Sequence, residues 1–229
     1  MSRKAPRRTA ERIQEAALAL FNRYGEPNVS TTQIAGELGI SPGNLYYHYP
    51  AKDGLVNALF EQYEQALAGL LPAAGDVRDV EGAWFFMHSL IERIWNHRFL
   101  YRDLNLLLSR NRRLEAGIQQ ALHDQTVALS TVLARLQGSG ALQIEAEDAA
   151  SLATSQVVLL SYWLSFEYAL DPRHALEPEG MQAAGLRGAG QALGLLLPYL
   201  VPAQQAYLRH LLRAYEPPKA TEKPGAPHE

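Results

Sequence analysis

Four ring-bearing side chains, Tyr46, Tyr47, His48 and Tyr49, occupy consecutive positions in the stretch ISPGNLYYHYPAKDGL of residues 40–55. Successive residues of a helix point about 100° apart, so a protein core could receive only one or two of these rings. Hydroxyl and imidazole groups can hydrogen-bond phosphate oxygens, and an aromatic ring can pack on a thymine methyl group. The chemistry of this stretch therefore suits contact with a nucleic acid.

A helix-turn-helix would position these side chains. Small Ala35, turn-forming Gly39 and apolar Leu45 have the spacing of two helices that cross closely through a short turn. In such a unit the second helix enters the major groove of DNA. The alternative is a plain helical corner in which Tyr46 and Tyr47 pack against neighbouring helices.

Capping residues mark the starts of both helices. Ser30 and Gln33 form a predicted capping box, and Ser41 precedes Pro42, a residue well suited to the first helical position. Lys52, at the start of the next helix, could pair with a phosphate. The candidate DNA-contacting residues are Ser30, Thr31, Thr32, Gln33, Ser41, Gly43, Asn44, Tyr46, Tyr47, His48 and Lys52.

The rest of the 229-residue chain is predicted to be almost entirely helical, because apolar residues recur at intervals of three and four. We predict helices over about 10–24, 52–71, 80–97, 100–109, 113–137, 146–170, 180–197 and 202–214. The segment LPAAGDVRDVEG, residues 71–82, is predicted to be a loop leading into the third of these helices. The expected fold class is all-α.

Charge is distributed unevenly along the chain, although the net charge is only −3. Residues 1–54 carry seven Lys/Arg and five Asp/Glu, whereas the remaining residues carry 14 and 19. A basic N-terminal part and an acidic remainder agree with a nucleic-acid-binding N-terminal unit, although an ordinary solvated surface would show the same distribution of charge. The chain contains no cysteine, which excludes disulfides and thiolate metal sites.

Residues 8 to about 60 resemble the DNA-binding domain of the TetR family of bacterial transcriptional regulators. The resemblance rests on RIQEAALALFNRYG and VSTTQIAGELGISPGNLYYHYPAKDGL. It implies an all-helical homodimer that binds palindromic double-stranded DNA, usually represses transcription, and responds to a small-molecule effector. The domains implied are 1–54 for DNA binding, with 1–7 a basic flexible arm, and 55–215 for effector binding and dimerisation. Residues 216–229 are an expected disordered tail.

The resemblance places dimerisation on the helices at 146–170 and 180–197. In the second of these helices, a stripe of small residues would let two helices approach closely. The stripe consists of Gly185, Gly188, Ala189, Gly190, Ala192 and Gly194. An intrinsically weak helix is the alternative explanation, because glycine lowers helix stability.

The resemblance extends to regulators of bacterial storage-polyester (polyhydroxyalkanoate) metabolism, which implies an acyl-type effector. Aromatic and polar residues at helical spacing could form a mainly apolar pocket. Nearby arginines at 98, 102, 110, 112 and 113 could meet a carboxylate or phosphate, although an ordinary aromatic core with a solvated basic face would show the same pattern. The candidate effector-binding residues are Trp84, His88, Ile91, Trp95, Tyr101, Asn105, Tyr162 and Phe166.

Two other classes of function compete with a ligand-responsive repressor. An enzyme is disfavoured, because the seven histidines are scattered and no hydrolase, zinc-protease or nucleotide-binding motif is present. A DNA-binding protein without an effector, or a transcriptional activator of acyl or storage-polyester metabolism, stays open. No metal, cofactor, signal peptide or membrane association is expected, which predicts a cytoplasmic protein.

Overall fold

The structure, a computed structural model, describes residues 6–171 and 178–213. Within these ranges the chain is all-helical, as predicted, with a single isolated bridge between Leu142 and Leu200. The helices are α1 Pro6–Tyr24, α2 Thr31–Glu37, α3 Pro42–His48, α4 Lys52–Leu70, α5 Val80–Asn96, α6 Phe99–Arg102, α7 Leu104–Arg110, α8 Arg112–Gly138, α9 Ala146–Leu170, α10 Pro178–Gly194 and α11 Pro202–Leu212.

The first three helices form a compact unit around a shared apolar core. Phe21 of α1, Ile34 of α2 and Leu45 of α3 have no exposed surface. The predicted capping box is present: the Ser30 hydroxyl accepts the Gln33 N–H at 3.2 Å, and the Gln33 side chain accepts the Ser30 N–H at 2.7 Å. Gly39 adopts φ 63°, a conformation that favours glycine, and this allows the tight turn into α3.

Several helix boundaries differ from the predictions. The first helix begins at Pro6, earlier than the predicted start near residue 10. The prediction of one helix over 100–109 is wrong, because the chain breaks at Asp103 into α6 and α7. Part of the predicted loop, Leu71–Asp76, is a 3-10 helix. The predicted tail and the first five residues of the basic arm lie outside the described residues.

The C-terminal helices form a bundle in which α9 packs against both α8 and α10, and α5 packs against α4 and α10. By length and composition alone α9 could cross a membrane. Its apolar residues instead serve this packing, because Leu152, Val157 and Leu160 are buried. A core helix commonly has such a composition.

Tryptophan rings occupy the space that the α10 glycines leave open. A Cβ atom on Gly185 would lie 2.9 Å from the Trp95 ring, and one on Gly188 would lie 2.6 Å from Trp163. The Trp163 indole also donates to the Ala184 carbonyl at 2.7 Å. At Gly185 and Gly188 the small residues therefore let α10 approach α5 and α9 within one subunit, and the expected contact with a second subunit stays a prediction.

Gly188→Ala is predicted to destabilise the fold by about 1–3 kcal/mol, because the added methyl group overlaps the Trp163 ring. Gly194→Ala is the matched control, since a Cβ atom there meets nothing within 4 Å. The control should leave stability unchanged or raise it slightly. Urea unfolding of both variants at one protein concentration measures the difference. Equal effects of the two substitutions would contradict this packing.

Candidate DNA interface and effector site

Helix α3 presents most of its polar and aromatic residues to solvent. Tyr47 is 79% exposed and Tyr46 is 46% exposed, while Leu45, on the side of α3 that faces the core, is fully buried. Asn44 at the helix start is also exposed. Tyr49 turns back toward α1, where its hydroxyl accepts a 2.6 Å hydrogen bond from the Gln14 amide. Of the four consecutive rings, those of Tyr46 and Tyr47 are therefore the ones exposed enough to contact a partner.

Helix α2 adjoins this surface. The Thr31 and Tyr46 hydroxyls lie 3.0 Å apart, which links the start of α2 to the middle of α3. Ser30 and Ser41 are exposed but also cap their helices. The remaining predicted DNA-contacting residues on these helices, Thr32, Gln33 and Gly43, are exposed, whereas His48 is partly buried and packs its ring edge-on to Tyr47.

Lys52 has a different environment from the one expected. Its ammonium group lies 3.0 Å from the Glu26 carbonyl oxygen, 3.1 Å from the Val29 carbonyl oxygen and 2.9 Å from the Glu26 carboxylate. The two carbonyl contacts are hydrogen bonds, and the carboxylate contact is an ion pair. In this structure Lys52 fixes the start of α4 against the segment before α2, and is not directed toward a phosphate.

Glu26 is the centre of this arrangement. It is fully buried, and its carboxylate also pairs with Arg110 of α7, while its N–H donates to the Asp103 carboxylate at 3.0 Å. Burial raises the pKa of Asp103, and this hydrogen bond opposes the increase. We call Glu26, Lys52, Asp103 and Arg110 the Glu26 junction. It joins the N-terminal unit to the C-terminal bundle.

A second set of contacts supports the junction. The Asn22 side chain donates to the Asn96 carbonyl at 2.8 Å and accepts the Phe99 N–H at 3.1 Å. The ring of Phe21 lies 5.4 Å from that of Phe99. The end of α1 is thus held against the turn between α5 and α6.

Three predicted effector-binding residues, Ile91, Trp95 and Tyr101, line one small cavity of about 10 Å³. Trp84 and His88 lie on the same helix as Trp95. The rings of Trp84 and His88 are stacked, with centroids 5.5 Å apart. These five predicted residues therefore lie in or near the interior of the bundle.

The structure does not bring the other predicted residues into this cavity. Tyr162 and Phe166 are 48% and 52% exposed on the outer side of α9. Asn105 is exposed and lines, with Tyr162 and Tyr101, an open groove of about 270 Å³. The α9 residues that reach the cavity are Leu160, Trp163 and Leu164. Because α9 is apolar around most of its circumference, a four-residue spacing could not tell its inner face from its outer face.

A buried polar cluster lies beside these residues. The Tyr63 and Tyr101 hydroxyls are 2.5 Å apart, and the Gln125 amide donates to both at 3.4 and 3.3 Å. Burial raises the pKa of both phenols. The sequence prediction missed Tyr63 and Gln125. The signal was present for Gln125, which is a lone amide among apolar residues facing inward from α8.

An exposed helix-turn-helix joined to a helical bundle is the architecture of a DNA-binding regulator, whether or not it also binds a ligand. Two family profiles match the chain: one described as bacterial regulatory proteins, tetR family, over residues 13–59, and a TetR profile described as bacterial transcriptional repressor, over 62–208. The second match covers more than half of the chain. The chain therefore belongs to the TetR family of transcriptional regulators, and its family is not one of enzymes.

Solved structures agree over nearly the whole chain. A TetR-family transcriptional regulator from Marinobacter aquaeolei has a TM-score of 0.77 and 29% identity, covering 91% of this chain and 99% of that one. A complex of SmeT with triclosan has a TM-score of 0.55 and 18% identity over 96% and 99% of the two chains. A regulator from Saccharomonospora viridis in complex with choline has a TM-score of 0.60 and 19% identity over 78% and 94%.

The matches to curated relatives cover only part of each protein. Nucleoid occlusion factor SlmA of Actinobacillus pleuropneumoniae is 32% identical over 75 residues, which are 32% of this chain and 37% of that protein. An HTH-type transcriptional regulator of Staphylococcus aureus is 43% identical over 53 residues, or 23% of this chain and 29% of that protein. The chain thus spans about a third of the length of these relatives.

Lys52→Met is predicted to lower the free energy of unfolding by about 1–3 kcal/mol, because it removes one partner of a buried carboxylate. Adding Glu26→Gln to the same chain should recover part of this loss, since no buried charge then lacks its partner. Chemical denaturation of the two variants and of Glu26→Gln alone completes the comparison. If Lys52→Met kept wild-type stability and lost only DNA affinity, the phosphate-contact prediction would stand instead.

Proposed function

We propose that this protein is a ligand-responsive transcriptional repressor of the cytoplasm, which binds a palindromic operator as a homodimer. A small, largely apolar effector bound in the C-terminal domain changes its affinity for DNA. The observation that carries the proposal is the surface of α3, where Tyr46 and Tyr47 are exposed while Leu45 anchors the helix. The proposed boundaries are 1–54 for the DNA-binding domain and 55–215 for the effector domain.

The exposed face of α3 suits the major groove. Asn44 and Tyr47 can reach base edges, and Gly43 leaves room for the helix start to approach them. Thr31 and His48, together with the capping residues, are placed to contact phosphates. Lys52 is proposed to act indirectly, by holding the Glu26 junction, so that α3 keeps its orientation.

The outer face of α9 supports dimerisation. Val158, Tyr162 and Phe166 are spaced by four residues and are 55%, 48% and 52% exposed. A continuous apolar row of this kind commonly marks a protein interface. Packed on the same row of a second copy, it would form the self-complementary contact of a two-fold dimer. We therefore assign the dimer interface to this face of α9 in place of the small-residue stripe of α10.

The effector site is proposed at the cavity beside Trp95 and Tyr101, where α5, α6 and α9 meet. Solved proteins of this fold are in complex with triclosan and choline, which supports ligand binding by this chain. Helix α6 connects Tyr101 with Asp103 of the Glu26 junction within two residues. A displacement of α6 by the effector would thus reach the N-terminal unit directly, and coupling of about 1–3 kcal/mol is typical of such switches.

Activation of transcription is the alternative to repression. An activator of acyl or storage-polyester metabolism would use the same DNA interface and effector site, and the resemblance to that subgroup remains a prediction. A ligand-independent DNA-binding protein is a further alternative, and the solved proteins of this fold in complex with triclosan and choline favour the ligand-responsive function over it.

DNA recognition is tested by substitutions on α3. Asn44→Ala and Tyr47→Ala should change base preference, with a loss of about tenfold at the affected position of the operator. His48→Ala should weaken binding to all sequences alike, and wild-type affinity should fall steeply with salt. Selection from a random duplex library, followed by fluorescence anisotropy, measures both effects. Phe85→Ala, which removes an exposed ring from α5, is the control. Unchanged affinity and selectivity in all three α3 variants would refute this interface.

The dimer assignment is tested with Tyr162→Glu combined with Phe166→Glu. Two like charges placed against their copies should yield a monomer at micromolar concentration, and operator affinity should fall because one half-site supplies half of the contacts. Sedimentation velocity gives the oligomeric state, and circular dichroism confirms that the fold persists. Val127→Glu alters an equally exposed apolar residue of α8 and should remain dimeric. A dimer that survived both α9 substitutions would place the interface elsewhere.

A further inference from the structure

Arg98 is the charged residue of the small cavity. It lies between α5 and α6, and its side chain is part of the cavity wall. The other lining residues are Ile91, Ile94, Trp95, Tyr101, Leu160, Trp163 and Leu164. Apart from the Tyr101 hydroxyl and the indole nitrogens, this wall is apolar.

Arg98 lacks the counter-ion that three other arginines of the bundle have. Arg110 pairs with Glu26, Arg113 with Glu64, and Arg187 with Glu167. Among the residues that the structure describes, no carboxylate pairs with Arg98. Its guanidinium donates to the Trp95 carbonyl at 3.2 Å and lies 5.6 Å from the Trp95 ring centroid.

The guanidinium is also partly desolvated. Its Nε atom is buried, and no acceptor in the described chain bonds to it. Burial, and to a smaller extent the charge of Arg102, lowers the pKa of Arg98. Since an arginine stays protonated in proteins, this side chain keeps a positive charge at the edge of an apolar space. An anion in that space would supply the missing counter-charge.

We propose that Arg98 recognises the acidic group of the effector, and that the effector is a mainly apolar molecule with a single carboxylate. This inference rests on the proposed function, in which the C-terminal domain binds an effector. One guanidinium neutralises one negative charge, and its planar donors match a carboxylate in a two-point contact. A phosphate monoester would bring a second charge, for which the cavity wall has no partner.

The cavity must enlarge to admit such a molecule. Its volume of about 10 Å³ is roughly that needed for one water molecule. The rings of Trp95 and Trp163, which line it, are backed by Gly185 and Gly188 of α10. Ligand entry therefore requires these two rings to move. Because the chain has three tryptophans, binding should change its intrinsic fluorescence.

The experiment titrates the full chain with octanoate, 1-octanol and octyl phosphate, and follows tryptophan fluorescence. Wild type, Arg98→Met and a control, Arg112→Met, are compared. Arg112 is suitable because its side chain is 94% exposed. We expect octanoate to bind Arg98→Met about tenfold to a hundredfold more weakly than wild type, the usual effect of losing a hydrogen bond to a charged group. Binding of 1-octanol should be equal in all three proteins, and octyl phosphate should bind wild type more weakly than octanoate does.

A second measurement separates recognition from a structural role. Without ligand, Arg98→Met should melt at the same temperature as wild type or higher, because an uncompensated charge has been removed. A clear loss of thermal stability would indicate that Arg98 serves the fold. The proposal is also overturned if wild type does not prefer octanoate to 1-octanol, if Arg98→Met keeps that preference, or if octyl phosphate binds most tightly.

Operator binding, measured separately, distinguishes failure of this inference from failure of the proposed function. If 1-octanol released operator DNA as well as octanoate did, the ligand-responsive function would stand and the role of Arg98 would fall. If the protein bound no operator, the proposed function would fail, and the fluorescence titrations would still decide whether Arg98 selects a carboxylate.

Discussion

A buried carboxylate holds the two halves of this protein together. Glu26 has no exposed surface, so its charge must be compensated from within the fold. Lys52, at the start of α4, and Arg110, at the end of α7, provide that compensation from opposite sides. Neither cation belongs to the segment that carries Glu26, and removing either one would leave the carboxylate poorly paired. The position of the helix-turn-helix relative to the bundle is therefore fixed by charge balance as well as by apolar packing.

Under the proposed function, this constraint gives a change in the bundle a route to the proposed DNA interface. Asp103 accepts the Glu26 N–H and terminates α6, a helix of only four residues. At the other end of that helix, Arg98 and Trp95 face the cavity. A short helix between two packed sites moves as a unit, so a ligand that displaces one end must strain or release the other. Coupling then needs no long chain of intermediate contacts.

Sequence analysis predicted the N-terminal unit well, because its determinants are local. The Ser30–Gln33 capping box, Gly39 and Pro42 each act within a few residues, and the structure places them as expected. The role of Lys52 could not be predicted in this way, since its partner Glu26 is brought near only by the folded chain. The same limit applied to Gly185 and Gly188. A stripe of small residues indicates close approach, but the sequence does not say whether the approaching group is a tryptophan of the same chain or a helix of another.

The sequence could not predict which residues of α9 face the interior and which face outward, and the reason is physical. One side of this helix lines the interior, while the other exposes Val158, Tyr162 and Phe166. A cavity wall and a dimer interface both favour aromatic and branched apolar residues, so composition and spacing are similar on the two sides. Charge separates them where apolar residues cannot. The Glu26 carboxylate, beside the DNA-proximal end of α6, is compensated by Lys52 and Arg110, whereas the charge of Arg98 at the other end has no protein carboxylate within the described chain. Under the proposed function, the Glu26 junction holds the orientation of the N-terminal unit, and the unpaired charge of Arg98 receives the carboxylate of the effector.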